Sequence, residues 1–315
     1  MTPPDMKNPK VLFAGTPEFA LASLRAIVDS GIAPAAVLTQ PDRPAGRGKR
    51  LTASPVKRYA QEKGIAVLQP LTLRDDAIVA PLRALQPDIF VVAAYGLLLP
   101  QVVLDIPRVG CLNVHASLLP RWRGAAPIQA AILAGDETSG VSLMAMTAGL
   151  DCGPVYASDA LHIGEHESAG ELHDRLAVLG GDLLAQHIND VLDGKLLAEE
   201  QDEAAVTYAG KISKQDAAID WQQPAEFLQR HVQAYNPVPG AYFDLDDQRI
   251  KCWKAVSMAG NSTPAGTVVT AGRDGIVVAC GEGALRLVSL QRPGKRAVDA
   301  REFAAQVELP GRRLG

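Results

Sequence analysis

Aromatic residues make up only 5% of this 315-residue chain, and its four cysteines, Cys111, Cys152, Cys252 and Cys280, stand far apart with no paired spacing. So few aromatics weigh against a surface built mainly to stack single-stranded nucleic acid. The scattered thiols weigh against a disulfide framework or zinc knuckle, so a reducing cytoplasm is the expected compartment. Also absent is any apolar run of about 18 residues, the length of a membrane span. The opening MTPPDMKNPK lacks the apolar core of a signal peptide. The first turn, AGTPEFA, carries a lone glycine, Gly15, and fits neither G-x-G-x-x-G nor a Walker loop. That disfavours a nicotinamide cofactor or a nucleoside triphosphate. No G-x-S-x-G elbow surrounds Ser117, and no internal repeat stands out.

What the chain does have is an ordinary globular composition, 47% hydrophobic and 21% charged, long enough for two domains. Its net charge of −4 argues against wholesale nucleic-acid binding, but the charge is uneven. Residues 41–58, PDRPAGRGKRLTASPVKR, hold six basic side chains (Arg43, Arg47, Lys49, Arg50, Lys57, Arg58) and one acid, Asp42. The remainder carries 25 basic and 34 acidic residues. A local basic segment on an acidic body suggests a local anionic partner. The proline and two glycines of RPAGRG oppose regular structure, so a mobile loop is expected there.

Apolar runs at 10–15, 35–40, 65–70, 88–96, 110–117, 141–147 and 153–163 read as strands. They alternate with helical patterns that begin near Thr16–Pro17, Ser54, Asp76 and Ala125 and that cover 168–193. The alternation predicts an α/β domain with a Rossmann-like, mostly parallel sheet over residues 1–193. A polar linker over 194–212 follows. Residues 213–315 then hold short β-rich runs with DG and EG turn signals, which suggest a small barrel of the oligonucleotide-binding type.

The chemistry concentrates in CLNVHASLLPRWRGAAPI, residues 111–128. On a strand, Asn113 and His115 share one face, with Cα atoms roughly 7 Å apart, at the carboxyl end where open α/β sheets bind ligands. An amide donor that does not titrate suits an oxyanion, and an imidazole moves protons near neutral pH. Together they suit acyl transfer to an amine. The carboxylate missing from the pair is offered by Asp151 in GLDCG, a loop between two strands. Plainer readings remain for each residue alone: a turn-forming Asp151, a satisfied core His115, a strand-end Asn113. Zinc held by Cys111, His115, Asp151 and Cys152 would match no zinc-ligand spacing, so no metal is expected. The mostly apolar Ser117, Leu118, Leu119 and Pro120 would wall a flat heterocycle.

These motifs, NVHASLLPRWRGAAPI with the downstream GLDCG, resemble the folate-dependent formyltransferases, and within them those acting on methionyl-tRNA. The likeness extends through TQPDRPAGRGKRL, AAYGLLLP, YAGKISKQDAAIDW and GALRLVSLQRPGKRA, over essentially the whole chain. The resemblance implies 10-formyltetrahydrofolate as formyl donor and the amino group of methionine on initiator methionyl-tRNA as acceptor. It implies catalytic roles for Asn113, His115 and Asp151, and folate contact by Ser117, Leu118, Leu119 and Pro120. It implies tRNA contact by Arg43, Arg47, Lys49 and Arg50 in the basic segment and by Lys211 and Lys214 in KISK. A monomer with no metal is expected. Cys152 departs from the family, which usually carries threonine there.

Two alternatives keep the chemistry: formyl transfer to a sugar-nucleotide amine, and hydrolysis of the formylfolate. Neither needs the basic segment. A non-catalytic RNA-binding module would leave Asn113, His115 and Asp151 without a task.

Overall fold

The strand readings of the first 165 residues become one sheet in the computed structural model, which describes residues 8–45, 50–260 and 263–315. Five of its strands run parallel: β1 (Val11–Gly15), β2 (Ala36–Leu38), β5 (Val67–Leu68), β6 (Ile89–Ala93) and β7 (Gly110–His115). β9 (Thr138–Ala145) pairs antiparallel with β7, and β10 (Val155–His162) forms the edge beyond it. The order is β10-β9-β7-β6-β1-β2-β5. β1 and β6 are buried at every position, as near-continuous apolar runs covered on both faces should be. The chain winds outward from β1 in both directions, so its switch point lies between β1 and β6, beside the carboxyl end of β7.

Helices cover this sheet. α1 (Glu18–Asp29) buries Phe19, Leu24 and Ile27 at helical spacing. α2 (Pro55–Glu62) is capped by Ser54, whose Oγ accepts from the Lys57 N–H at 3.0 Å. α3 (Asp76–Ala84) keeps Pro81 on its exposed side, and α4 (Gln101–Leu104) is a single turn. The long α6 (Ala169–Leu192) carries Gly180 and Gly181 mid-helix. A β-carbon at Gly180 would stand 3.0 Å from the Val114 methyl of β7, so the glycine lets α6 lie close against the strand that carries Asn113 and His115.

The basic segment corrects an expectation. Arg43–Ala45 (β3) and Arg50–Thr52 (β4) pair as an antiparallel hairpin, with Pro44 opposite Leu51. Pro44 is tolerated because a two-stranded ribbon has an outer edge where a missing N–H leaves no ladder bond unmade. Arg47 and Lys49 lie outside the described residues. Lys57 is not an open cation either. It donates to both Asp42 carboxylate oxygens, at 2.9 and 2.8 Å, and to Gln69 Oε1 at 2.7 Å. The hydrogen bonds from Lys57 and Gln69 hold the Asp42 carboxyl below its usual range.

The described residues fall into two compact units. The first is drawn from Met1–Pro127, Ser139–Leu161 and His173–Ala209, the second from Ile128–Thr138, His162–Leu172 and Gly210–Gly315. The stretch expected as a linker over 194–212 is therefore divided. Its residues up to Ala209 belong to the first unit, where Tyr208–Ala209 (β11) pairs with Arg123–Gly124 (β8).

The second unit holds α5 (Pro127–Ala134) from Ile128 onward, α7 (Ala225–Ala234), α8 (Ala300–Ala304) and an antiparallel sheet. The sheet order is β12 (Tyr242–Leu245), β13 (Gln248–Met258), β16 (Ala284–Gln291), β15 (Gly275–Ala279) and β14 (Val268–Gly272), with β17 (Ala297–Asp299) also on β16. The C-terminal tail links the two outer strands. Val268 N–H donates to Arg312 O and Asp244 N–H to Gly315 O, at 2.8 and 2.9 Å, which gives the sheet its barrel-like closure. One hairpin carries no glycine signal: Asp246 and Asp247, at φ 48° and 59°, make the two-residue turn between β12 and β13. Among the described residues no helix is long and apolar enough to cross a membrane, and all four cysteines are free thiols.

Candidate active site

β7 delivers its chemistry at its last three residues. Val114 turns into the core. Asn113 is half-buried, and its carboxamide bonds no other described residue. His115 is only 6% exposed. Its Nε2 lies 3.1 Å from the Trp122 carbonyl, which fixes the proton on Nε2 in the neutral ring. Nδ1 then faces Asp151, whose Oδ2 is 3.7 Å away. The structure thus brings together three residues that the sequence holds on two separate segments.

Both neighbours of His115 sit on unusual backbone. Trp122 has φ 64° and Asp151 φ 48°, in the left-handed region that costs a non-glycine residue about 1–3 kcal/mol. Each is held by hydrogen bonds. Asp151 Oδ2 accepts from the Gly124 N–H at 2.9 Å. Gly124 itself has φ 125°, and a β-carbon there would overlap the Ala209 carbonyl oxygen, so only glycine fits. The Trp122 N–H donates to Thr207 Oγ1 at 2.9 Å. The Arg121 guanidinium stacks over the Trp122 ring at 4.3 Å. Arg123, only 2% exposed, donates to Gln201 Oε1 at 2.9 Å and Glu203 Oε1 at 2.8 Å. The Glu203 hydrogen bond pushes its pKa further up, so it stays charged.

Residues 117–120 are shaped by hydroxyls. Ser117 is buried and donates from Oγ to Arg121 O at 2.6 Å, so its hydroxyl serves the loop. Fully buried Ser142 donates to Ser117 O at 2.8 Å and accepts from the Leu119 N–H at 3.1 Å. Leu118, Leu119 and Pro120 are left half-buried as an apolar wall. Cys152 follows Asp151 with its Sγ 3.4 Å from Thr147 Oγ1, a small polar contact of the kind threonine would also make.

Of the cationic residues, Arg43 and Arg50 are exposed on the hairpin, with Arg43 donating to Gln40 Oε1 at 3.1 Å. Lys211 and Lys214 are exposed in the second unit. No group of three or more potential metal ligands occurs among the described residues. Sequence reasoning missed Trp122, Gly124, Gln201 and Thr207. The first two lie inside the motif but reveal their roles only through φ. The other two lie about 80 residues downstream in polar sequence with no motif.

Comparison with known proteins places these features in a family. Residues 8–188 match the formyl transferase family model, and residues 211–308 match the model of the formyl transferase C-terminal domain. A methionyl-tRNA formyltransferase from Aromatoleum aromaticum is 54% identical over 294 residues, covering 93% of each chain. One from Pseudomonas syringae is 52% identical over 290 residues, covering 92% of each. Among solved structures, an N-formyltransferase from Helicobacter canadensis, in complex with folinic acid and dTDP-3-aminofucose, superposes with a TM-score of 0.64 at 16% identity. The match covers 89% of this chain and 99% of that one. HypX from Aquifex aeolicus in complex with tetrahydrofolic acid gives 0.63 at 15%, and the chain spans about half of it, 49%. At such identities the two structures speak for the fold alone.

Proposed function

This chain belongs to the formyl transferase family, and from that premise we propose that it transfers a formyl group from 10-formyltetrahydrofolate to the amino group of methionine on initiator methionyl-tRNA, for translation initiation. The curated relatives at about half identity over more than nine-tenths of the chain act on methionyl-tRNA by name, whereas the sugar formyltransferase is a distant relation. The observation that carries the chemistry is the set of Asn113, His115 and Asp151 at the carboxyl end of β7, with His115 Nδ1 3.7 Å from Asp151 Oδ2.

In this reading the methionine nitrogen attacks the formyl carbon, and the carbonyl π pair moves to oxygen. The uncommitted Asn113 amide donates to that oxyanion, stabilisation worth about 3–4 kcal/mol. The attacking nitrogen sheds a proton to His115 Nδ1, the ring nitrogen not engaged by Trp122. Asp151 balances the imidazolium that forms. The oxyanion pair then restores the carbonyl as the carbon–nitrogen bond to the folate breaks; the electron pair of that bond stays on the folate nitrogen, which takes the proton back from His115. The wall of Leu118, Leu119 and Pro120 supports folate contact. Arg43 and Arg50 on the hairpin, with Arg47 and Lys49 between them in sequence and Lys211 and Lys214 in the second unit, supply cations for tRNA phosphates.

The test is an acceptor comparison, with formyl transfer measured to methionyl-tRNA, to an amino sugar nucleotide and to water. Preferential transfer to methionyl-tRNA is expected. Comparable or faster transfer to the sugar nucleotide would overturn the reading.

A further inference from the structure

The segment between the long α6 helix and the second unit is polar and without motif, and it reads in sequence as a connector. In the structure it is hydrogen-bonded along its length to the two loops that flank His115. At one end Glu199 and Val155 exchange both backbone bonds, at 2.8 and 2.9 Å, just beyond the Asp151 loop. Gln201 then reaches into that loop, donating from Nε2 to Asp151 O at 2.9 Å and to Gly153 O at 2.7 Å. Its Oε1 accepts from buried Arg123, so the amide is fully engaged and its orientation fixed. At the other end Thr207 O accepts from the Arg123 N–H and Ala209 O from the Ala125 N–H, both at 2.9 Å. Between them the Thr207 hydroxyl accepts from the Trp122 N–H.

We infer that residues 199–209 are a positioning strap for the formyl-transfer site, in which Gln201 fixes the Asp151 loop and Thr207 fixes the Trp122 peptide whose carbonyl orients His115. The inference rests on the catalytic reading of His115 and Asp151. Both residues it acts through, Asp151 and Trp122, sit at positive φ. Such backbone persists only where surrounding bonds over-determine it. Gln201 bonds the Asp151 carbonyl and Thr207 the Trp122 N–H, so the segment contributes one side-chain hydrogen bond to each of the two strained residues' backbone groups. Neither residue faces the reacting atoms directly. Gln201 spends its amide on backbone carbonyls and Arg123, and Thr207 spends its hydroxyl on the Trp122 peptide. Loosening either one leaves the substrates' contacts in place and lets the imidazole and carboxylate drift. A displacement of about 1 Å at such groups costs on the order of 100-fold in turnover.

Three variants test this: Thr207→Val, which keeps the shape and removes the acceptor, Thr207→Ser, which restores the hydroxyl, and Gln201→Met. The expected result is a kcat about 10- to 100-fold down in Thr207→Val and Gln201→Met, with KM for methionyl-tRNA and for 10-formyltetrahydrofolate changed by less than about three-fold. Thr207→Ser should return to within about three-fold of wild type. Nitrogen-15 spectra of the histidine rings add a readout independent of turnover. The His115 signal, assigned by its loss in His115→Gln, should report the Nε2–H tautomer in wild type and a mixture in Thr207→Val. Wild-type kcat in both disruptive variants, while His115→Ala is inactive, overturns the strap and leaves the catalytic reading standing. Unchanged turnover in His115→Ala and Asp151→Ala overturns both. Should Thr207→Val fail to fold, an unchanged kcat in Gln201→Met overturns the strap by itself.

Discussion

Replacing Gly124 by alanine perturbs one atom at the point where the site, the β8–β11 pairing and the Asp151 contact meet. Gly124 has φ 125°, outside the left-handed well that alanine tolerates least badly, and the new β-carbon would overlap the Ala209 carbonyl oxygen, a backbone atom with little room to yield. The backbone conformation costs about 1–3 kcal/mol. Relieving the overlap moves β11 away and strains the bonds on either side, Arg123 N–H to Thr207 O and Ala125 N–H to Ala209 O, at about 1 kcal/mol net each. The sum is about 3–5 kcal/mol. For a unit of this size each kcal/mol lowers the melting temperature by about 2–4 °C, so the fall in the first unit's transition should be about 6–20 °C. The same movement turns the Gly124 N–H from Asp151 Oδ2, where it donates at 2.9 Å. A charge-assisted bond of this kind is worth about 1.5–3 kcal/mol, and its partial loss should lower kcat about 10-fold or more at permissive temperature. Calorimetry and steady-state formylation of methionyl-tRNA read the two effects. Gly210→Ala is the control: no atom stands within 4 Å of its β-carbon, so it should be neutral or slightly stabilising. A Gly124→Ala enzyme melting within 2 °C of wild type, at full turnover, would refute the steric and hydrogen-bond reasoning together.

Asn113→Ala should cut kcat by about 100- to 1,000-fold with folate affinity nearly unchanged, because the amide bonds no other described residue and is available to the oxyanion; isothermal titration beside kinetics separates the two. Asp151→Asn and His115→Ala should be non-additive in kcat, since the carboxylate acts through the ring it faces at 3.7 Å. Losses that multiply in the double variant would contradict the coupling. Neutralising Arg43 or Arg50 should each flatten the log–log salt dependence of tRNA binding by about one unit if it contacts a phosphate, leaving folate binding intact. In the second unit, burial holds the His231 pKa below its usual 6.5, with Nε2 bonded to Asp216 O at 2.9 Å. The unfolded chain therefore takes up a proton first as the pH falls. The stabilisation is full above about 6.5 and is lost toward the depressed native value. Thermal denaturation of His231→Gln between pH 7 and 5 should show a shallower acid slope than wild type.

The sequence made legible whatever depends on local pattern. β1 and β6 are unbroken apolar runs because both faces are covered, and β7 alternates because one face carries the site. The order of those strands placed Asn113 and His115 at a carboxyl end beside the switch point. The resemblance linked them to Asp151, and the family comparison supports the activity. What could not be read is long-range or conformational. The Arg43–Ala45 ribbon hides behind a proline and two glycines that read as loop, because edge pairing tolerates a missing donor. The Asp246–Asp247 turn uses aspartates at positive φ where a glycine would have announced it. α7 begins after Pro224 in a half of the chain read as β-rich, and polar Gln229 and His231 share its buried face with Leu228 and Val232, which blurs the helical pattern. Thr207 and Gln201 show the limit best. A threonine and a glutamine in TYAGK and EEQDE carry no spacing signal, because their partners, backbone groups and the Arg123 guanidinium, lie 48 to 85 residues away, on loops whose own sequences do not reveal their strain. Side chains that react advertise themselves by type, whereas side chains that hold those reacting groups in place are chosen for reach and hydrogen-bond count. Many residue types meet that need, so only the folded chain distinguishes the strap from a solvated connector.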